Sequence, residues 1–364
     1  MISYDVVEHG KPLQKVLKET PRPTGTEVLV RITRSGVCHS DLHIWDGYFD
    51  MGGGKRFYVK ERGCVPPFTL GHEPFGIVED FGASVSRIDK KLKRGQKKIV
   101  YPWIGCGKCG ICKAGRDNYC VSGVRYLGVT RPGAYSSHVL IPHPKYLVDA
   151  AGIDESFAPT LACSALTAYS AIGKLPALGR SDWVAVVGCG GLGLVAISIL
   201  KAKGIRNVIA CDIDEVKLAA AKKLGAKLTL DTRVSASAPD AAQRLQALAT
   251  GRLAGAIDFV GMPATFGLAY PALQKGGSYI LCGLFGGEIT LPMPQIAQRA
   301  ITIRGSYVGD VAELKAVVAL AKKKKIKPLP LTTRPAAEVN AILEDLKAGK
   351  VLGRVVLAFE ERAT

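Results

Sequence analysis

A chain of 364 residues is long for one hydrophobic core, so two domains are expected. Nearly half of its residues are apolar, which excludes a disordered or fibrous protein. The net charge of +18 would suit an anionic partner. The densest basic clusters, Lys90–Lys98 and Lys322–Lys327, lack interleaved aromatic residues and match no nucleic-acid module. We therefore interpret the charge as a solvated surface that also helps to attract an anionic cofactor.

No targeting segment is recognisable, because Asp5 and Glu8 stand where a signal peptide needs basic and then apolar residues. The uncharged stretch Trp183–Leu200 contains four glycines, which a buried strand, turn and helix explain better than a membrane span. Ten cysteines without a secretion signal suit metal binding or burial rather than disulfides. We expect a cytoplasmic protein that binds neither membranes nor nucleic acid.

Residues 1–160 are predicted to be rich in strands and loops. Period-two alternation predicts strands at Glu27–Thr33 and Phe75–Glu79, between dense glycine and proline turns. From about residue 181, strands alternate with helices, which predicts a parallel sheet covered on both faces. The predicted strands of this part are Trp183–Val187, Asn207–Cys211, Lys227–Leu230, Ala256–Val260 and Ser278–Leu284. The tail returns to a mixed texture, with predicted strands at Ile301–Gly305 and Arg354–Phe359. The predicted helices are one that ends at Lys203, then Asp214–Leu224, Ala241–Ala249, Thr265–Gln274, Val311–Lys323 and Pro335–Lys347.

A glycine-rich turn follows the first of these strands and opens a helix. Its pattern is G-x-G-x-x-G, and Asp212 stands at the end of the next strand, which together are typical of a dinucleotide-binding turn. The N-terminus of the helix attracts the cofactor phosphates. The carboxylate of Asp212 accepts hydrogen bonds from ribose hydroxyls but repels a 2′-phosphate, so NAD is favoured over NADP. The candidate cofactor-binding residues of the turn are Gly188, Gly190, Gly191, Leu192 and Gly193.

Four cysteines at short spacing form the strongest single motif, C-x2-C-x2-C-x7-C. Four thiolates so close in sequence can surround zinc as a tetrahedron with no open position, which indicates a structural site. A redox dithiol would not need four cysteines. The last spacing and the lack of a redox partner sequence argue against an iron–sulfur cluster. The predicted ligands are Cys106, Cys109, Cys112 and Cys120.

A second candidate metal site draws on residues far apart in sequence. Cys38, His72 and Cys163 would give zinc two sulfur ligands and one nitrogen ligand and leave a fourth position open, as in catalytic zinc. Spacing does not require this grouping. Taken alone, His72 is equally explained as a hydrogen-bonded histidine, and Cys163 is better explained as a buried thiol.

Together these motifs resemble the zinc-dependent medium-chain alcohol dehydrogenases over nearly the whole chain. The resemblance implies an α/β protein with a GroES-like β-barrel catalytic domain and a Rossmann domain with a doubly wound parallel sheet. It places the first part of the catalytic domain at 1–160 with a structural zinc lobe at 105–121, the Rossmann domain at 161–305, and the C-terminal part of the catalytic domain at 306–364. The matching segments are Gly36–His43, Gly71–Val78, Cys106–Cys120, Leu161–Ile172, Val186–Gly193, Cys211–Asp214 and Leu352–Arg354.

The resemblance implies catalytic roles around the zinc that Cys38, His72 and Cys163 would bind. Asp41 resembles the carboxylate that orients the zinc-bound histidine, and Glu73 resembles the glutamate that approaches the metal during ligand exchange. Ser40 resembles the hydroxyl that takes the alcohol proton, and His43 resembles the residue that hands this proton to solvent.

Cofactor contacts are implied in the same way. His39 resembles the basic residue at the cofactor phosphates, and Thr167 resembles the residue behind the nicotinamide. Lys217 is similar to the lysine at the adenosine ribose, and Arg354 to a tail residue that reaches the pyrophosphate.

The implied function is the reversible oxidation of primary or secondary alcohols to aldehydes or ketones, with hydride transfer to NAD. The resemblance also implies two zinc ions per chain and a homodimer or homotetramer.

Trp45 and Trp103 are expected to line the substrate pocket, which favours aromatic, cyclic or medium-chain alcohols. The basic residues of the 45–68 loop could meet a substrate carboxylate, although surface solvation is the preferred interpretation. They are Lys55, Arg56, Lys60 and Arg62.

Three alternatives remain. A polyol dehydrogenase of the same fold usually has glutamate where Cys163 stands. A zinc-free quinone or enoyl reductase lacks Cys38, His72 and the four-cysteine lobe. A basic, non-enzymatic zinc-binding protein leaves the glycine turn unexplained.

Overall fold

The computed structural model describes residues 1–234 and 237–360. Its strands are β1 Ile2–Val6, β2 Gln14–Leu17, β3 Val28–Gly36, β4 Tyr48–Gly52, β5 Lys55–Tyr58, β6 Phe68–Thr69, β7 Pro74–Phe81, β8 Lys97–Val100, β9 His138–Ile141, β10 Leu147–Asp149, β11 Trp183–Val187, β12 Val208–Asp212, β13 Leu228–Asp231, β14 Leu253–Asp258, β15 Ser278–Leu281, β16 Thr302–Gly305, β17 Leu331–Pro335 and β18 Arg354–Ala358. Its α-helices are α1 His39–Asp46, α2 Val85–Ile88, α3 Gly110–Lys113, α4 Ser164–Ile172, α5 Gly191–Ala202, α6 Glu215–Leu224, α7 Ala238–Leu248, α8 Pro263–Ala272, α9 Met293–Arg299, α10 Val311–Lys322 and α11 Val339–Lys347.

One sheet joins the beginning and the end of the chain. Its strands run in the order β10-β8-β7-β3-β18-β17, and β9 also pairs with β3. Strand β18 is antiparallel to β3, with Val356 opposite Gly36, two residues before Cys38. Strand β18 therefore supports the segment that leads to Cys38, a candidate metal ligand.

The other large sheet is parallel, with the order β13-β12-β11-β14-β15-β16. Val187 at the end of β11 lies opposite Cys211 of β12 and Asp258 of β14. The carboxyl ends of these strands therefore meet at one edge, where ligands bind in such sheets. The predicted alternation of strands and helices is confirmed.

The uncharged stretch 183–200 is a core strand and a core helix. The strand β11 is buried, and α5 is buried from Gly193 to Leu200. Among the described residues, no helix combines the length and the apolar character needed to cross a bilayer.

Two local differences from the predicted elements concern the C-terminal helix and an unpredicted hairpin. The helix predicted from Pro335 begins at Val339, because Leu331–Pro335 forms β17 at the edge of the first sheet, where a proline is tolerated. The segment predicted as loop between Trp45 and Phe68 contains the hairpin β4–β5. Its turn uses Gly53 and Gly54 with φ of +57° and +76°, which glycine adopts without strain.

All six strands of the parallel sheet lie within the segment 161–305 that was expected for the cofactor domain. The boundaries at 160 and 305 themselves stay predictions.

Candidate active site

Helix α1 presents three candidate residues on one face. It begins directly after Cys38, whose backbone N–H donates to Oδ2 of Asp41 at 2.9 Å and so closes the first turn. His39, Ser40 and His43 are partly exposed, whereas the opposite side of the helix is buried. Positions four apart share a helix face, which explains why these polar groups point the same way.

The three predicted ligands of the second metal site come together. The ligand atoms of Cys38, His72 and Cys163 lie within 4.8 Å of one another, and all three residues are buried. Nδ1 of His72 lies 3.0 Å from Oδ1 of Asp41, and the Tyr135 hydroxyl donates to Oδ2 of the same carboxylate at 2.8 Å. The carboxylate therefore holds the imidazole ring in one orientation.

The chemistry of this donor set fits zinc. Among the described residues, Nε2 of His72 has no hydrogen-bond partner although it is buried. A hydrogen bond with Cys163, followed in size by the opposing effect of burial, holds the pKa of Cys38 well below its usual range. One thiolate, one thiol and an unpartnered imidazole nitrogen at such distances are what a three-ligand zinc site requires before the metal binds.

Glu73 and Arg354 form a buried ion pair beside the three ligands. Nη2 of Arg354 donates to Oε1 of Glu73 at 2.6 Å, and the backbone N–H of Ser164 donates to the same oxygen at 3.2 Å. Burial raises the pKa of Glu73 to about 7, against the opposing charge of Arg354. The arginine also lies next to the glycine turn, because a Cβ on Gly191 would meet its Nη1 at 3.2 Å. Arg354 therefore links the metal site to the proposed phosphate site.

The four cysteines of the lobe also come together, with ligand atoms that all lie within 4.8 Å of one another. Sγ of Cys106 is 3.9 Å from that of Cys112, and Sγ of Cys109 is 4.0 Å from that of Cys120. Backbone N–H groups of Cys109 and Lys108 donate to Cys106 and lower the pKa of its thiol to about 6. Four thiols in such an arrangement fit a closed structural zinc.

Trp103 lies next to the metal site formed by Cys38, His72 and Cys163. Its ring centroid is 5.3 Å from that of His72, 5.4 Å from that of Tyr126 and 6.0 Å from that of Tyr307. These three aromatic residues, Trp103, Tyr126 and Tyr307, are named the aromatic cluster below. Tyr307 follows β16, so the parallel sheet contributes one of the aromatic rings beside the metal site.

The structure does not bring Trp45, the other tryptophan expected at the substrate pocket, to the aromatic cluster. Its side chain is buried, its indole N–H donates to the carbonyl of Lys11 at 2.6 Å, and Nζ of Lys347 lies 5.1 Å from its ring centroid. The helix turns this residue away from the face that carries Ser40 and His43, towards α11. Trp45 therefore has a packing role.

Two histidines of α1 stack on phenylalanines at the cleft. The ring of His39 lies 4.5 Å from that of Phe285, which follows β15, and the ring of His43 lies 4.9 Å from that of Phe49. Burial, followed by the charge of His39, lowers the pKa of His43. A neutral imidazole at this position is able to accept a proton.

The glycine turn has the geometry of a phosphate cradle. Gly188 has φ of +85°, and a Cβ on Gly193 would lie 1.8 Å from the Gly188 carbonyl oxygen, so neither position tolerates a side chain. A Cβ on Gly190 would meet no atom within 4 Å, which leaves open space where a pyrophosphate would approach. Leu192 is partly exposed at the start of α5.

A cavity of ≈ 420 Å³ adjoins this turn, between β11, β12 and α8. Asp212 lines this cavity. The Asp212 carboxylate accepts hydrogen bonds from the backbone N–H groups of Cys189 at 2.6 Å and Asp214 at 3.0 Å. Nζ of Lys217 lies 3.7 Å from Oδ2 of Asp214. Thr167 is buried in α4, four residues after Cys163. The cavity has a volume in the range of small-molecule sites, and Asp212 gives it the carboxylate that an adenosine ribose needs.

Sequence reasoning missed several residues that shape this site. Tyr135 binds Asp41, Phe285 stacks on His39, and Tyr126 and Tyr307 complete the aromatic cluster. The sequence did carry a signal for two of them. Phe285 and Tyr307 follow strands β15 and β16, and the carboxyl ends of parallel strands are where sites form.

Comparisons with known proteins agree with this geometry. Residues 24–151 match the alcohol dehydrogenase GroES-like domain, and residues 191–323 match the zinc-binding dehydrogenase family. An NAD-dependent alcohol dehydrogenase of Sulfurisphaera tokodaii is 36% identical over 359 residues, which cover 98% of this chain and 99% of that protein.

Solved structures give the same result. The alcohol dehydrogenase of the archaeon Aeropyrum pernix has a TM-score of 0.88 and 32% identity, and the match covers 99% of this chain and 100% of that one. Acetophenone reductase of Geotrichum candidum, solved with NAD, has a TM-score of 0.81 and 28% identity over 98% of this chain and 97% of that one. The predicted GroES-like and Rossmann fold class is thereby confirmed. The chain belongs to the zinc-dependent medium-chain alcohol dehydrogenases, enzymes that use zinc and NAD.

Proposed function

We propose that this alcohol dehydrogenase oxidises primary or secondary alcohols with an aromatic, cyclic or medium-length apolar group, and reduces the corresponding carbonyls. One observation carries the proposal: Cys38, His72 and Cys163 converge beside Trp103. Because an open zinc position next to an indole ring suits a hydroxyl attached to a flat or bulky apolar group, the substrate carbon would lie against the aromatic cluster.

Zinc, when bound by Cys38, His72 and Cys163, supplies a Lewis acid that favours loss of the alcohol proton. NAD supplies a nicotinamide that accepts hydride. Asp41 would keep the His72 ring in its ligating orientation, with Tyr135 fixing the carboxylate in turn.

The proton would leave along α1. Ser40 lies two residues after the ligand Cys38 and would accept the alcohol proton, while His43, three residues further along α1, would accept it from there and release it to solvent. This assignment is supported by the shared helix face of both residues and by the lowered pKa of His43. Glu73, held by Arg354 beside the ligands, would approach the metal during ligand exchange.

The cofactor would lie between the two sheets. The turn at 188–193 and the partly exposed His39 would bind its phosphates, and Arg354 would add a positive charge there. Asp212 and Lys217 would contact the adenosine ribose, and Thr167 would lie behind the nicotinamide.

Substrate choice is supported by two observations. Trp103, Tyr126 and Tyr307 place three aromatic rings within 6.2 Å of one another beside His72. The solved relative acetophenone reductase is named for an aromatic ketone. Cys163 stands where polyol dehydrogenases usually have glutamate, which argues against that alternative.

The test combines metal analysis with turnover. The purified protein is expected to contain about two zinc ions per chain and to form NADH from benzyl alcohol or cyclohexanol, with sorbitol and NADP as control substrate and control cofactor. Zinc without turnover of any alcohol would contradict the proposal, and faster oxidation of sorbitol than of cyclohexanol would favour the polyol alternative.

We also propose a homo-oligomer, in which strand β16 pairs with the same strand of a second copy. Thr302–Gly305 forms an edge of the parallel sheet, all four residues are exposed, and Ile303 is 41% exposed. An exposed edge with an apolar side chain is a site of strand pairing, and two-fold pairing closes it.

Light scattering after size exclusion is expected to give at least twice the mass of one chain, and Ile303→Lys is expected to shift the protein towards monomer. A monomeric wild-type protein at tens of micromolar would contradict this pairing. A cytoplasmic location is supported by the ten cysteines, none of which forms a disulfide and whose reduced state a reducing compartment would preserve.

A further inference from the structure

The segment that carries Tyr307 has a strained backbone. The next residue, Val308, is buried and has φ of +40°. A side chain branched at Cβ rarely adopts this left-handed conformation, so contacts with other elements must hold the segment in it. The place of the Tyr307 ring in the aromatic cluster therefore depends on those contacts.

Hydrogen bonds from other elements hold both ends of this segment. Nζ of Lys174 donates to Oγ of Ser306 at 3.0 Å. The hydroxyl of Tyr101 donates to the backbone carbonyl of Gly309 at 2.7 Å. These bonds fix the residues on either side, and the carbonyl of Tyr307 has a separate partner.

That partner is Asn118, which is 3% exposed. Its Nδ2 donates to the backbone carbonyl of Tyr307 at 3.3 Å, and its own backbone carbonyl accepts the hydroxyl of Tyr126 at 2.8 Å. Its Oδ1 is buried and has no hydrogen-bond partner among the described residues, so the bond to Tyr307 is what the side-chain amide contributes. Asn118 therefore contacts two of the three members of the aromatic cluster.

Asn118 belongs to the four-cysteine lobe and is itself firmly held. It lies in the 3₁₀ turn Asp117–Tyr119, directly before the predicted ligand Cys120. The backbone N–H of Cys120 donates to the carbonyl of Asp117 at 3.1 Å, and the Asp117 carboxylate accepts the hydroxyl of Tyr146 at 2.6 Å. The turn is fixed on both sides of Asn118, which makes this residue a rigid support.

We propose that Asn118 is a positioning residue of the substrate pocket: by holding Tyr307 in the aromatic cluster, it sets the affinity for the apolar group of the alcohol. This inference rests on the proposed function and adds a residue of the four-cysteine lobe to the same site. Because Asn118 acts through an aromatic ring, its effect falls on the binding of the apolar group and not on the hydride step. A small alcohol such as ethanol, which offers the ring little surface, should be affected least.

The first experiment measures KM and kcat of the zinc-loaded variants Asn118→Ala and Asn118→Asp. The second variant keeps the shape of the side chain but replaces its N–H donor by an oxygen that repels the Tyr307 carbonyl. Both are expected to raise KM for cyclohexanol and benzyl alcohol about three- to tenfold, as for the loss of one hydrogen bond. Values of kcat, and KM for ethanol, should stay within about twofold. The matched control is Arg116→Ala, an exposed residue directly before the same turn, which should change neither constant.

A double-mutant cycle distinguishes positioning from a general effect on folding. In a Tyr307→Ala background there is no ring to position, so adding Asn118→Ala should change KM for cyclohexanol by less than about twofold. Zinc content and melting temperature of every variant are measured on the same preparations. Additive effects in the cycle would overturn the role of Asn118, as would an equal rise of KM for ethanol and cyclohexanol.

Binding is measured separately by calorimetry of benzyl alcohol with the NADH-loaded protein, in which no oxidation of the alcohol takes place. Binding that is weaker in Asn118→Ala and Asn118→Asp than in the wild-type protein supports the positioning role, even if the wild-type protein turned over no alcohol and the proposed function failed. Turnover with KM and binding unchanged in both variants would overturn the role of Asn118 alone.

Discussion

Replacing Ser40 by alanine is expected to lower kcat for benzyl alcohol by about three orders of magnitude while both zinc ions stay bound. The hydroxyl lies on the exposed face of α1, two residues after Cys38 and three before His43, and is partly exposed. Without it, no side chain of this face would stand between the alcohol and His43 to take the proton. The packing of the helix should not change, because its buried side is untouched.

Steady-state kinetics and metal analysis on the same preparation check this result. Ser40→Thr is the matched control, because it keeps a hydroxyl at the same position and is expected to retain most of the activity. If Ser40→Ala kept most of its turnover with a full zinc content, the proton path through this residue would be wrong.

Replacing Cys38 by alanine is expected to remove one of the two zinc ions and with it nearly all turnover. Three protein ligands converge at this site among the described residues, so the loss of one leaves two, which hold zinc far more weakly. The protein should stay folded, since Cys38 lies two residues after β3, a strand that pairs with β7, β9 and β18.

The control is Cys109→Ala in the four-cysteine lobe. It should also remove one zinc ion, but its main effect is expected on thermal stability, because a closed zinc site contributes directly to the folding of its segment. Zinc content, circular dichroism and melting temperature separate the two variants. A Cys38→Ala protein with two zinc ions per chain would contradict the ligand assignment.

The parts of the site that could be predicted from sequence are those that depend on short spacing. The four cysteines of the lobe lie within one turn-rich segment, so their spacing alone restricts the geometry. The turn at 188–193 could be recognised because strand, glycines and helix follow one another directly. In both cases the local sequence determines nearly the whole arrangement.

The parts that could not be predicted depend on contacts between distant segments. Tyr307 meets Trp103 only because the end of the parallel sheet, after β16, lies against the segment that follows β8. Trp45 lies apart from this cluster for a related reason. Its distance from Ser40 in sequence suggested the same pocket, but the rotation of 100° per residue along a helix places it on the buried side.

The residues beside the metal site depend on contacts with strand β18. Arg354 begins this strand and binds Glu73, 281 residues earlier in the chain, and Val356 pairs with the segment that leads to Cys38. During synthesis, the residues beside the metal site would therefore lack their arginine and their supporting strand until residues 354–358 have left the ribosome. A nascent chain able to bind zinc in its lobe would still lack these contacts at the other metal site, so oxidation of alcohols would begin only once β18 is in place.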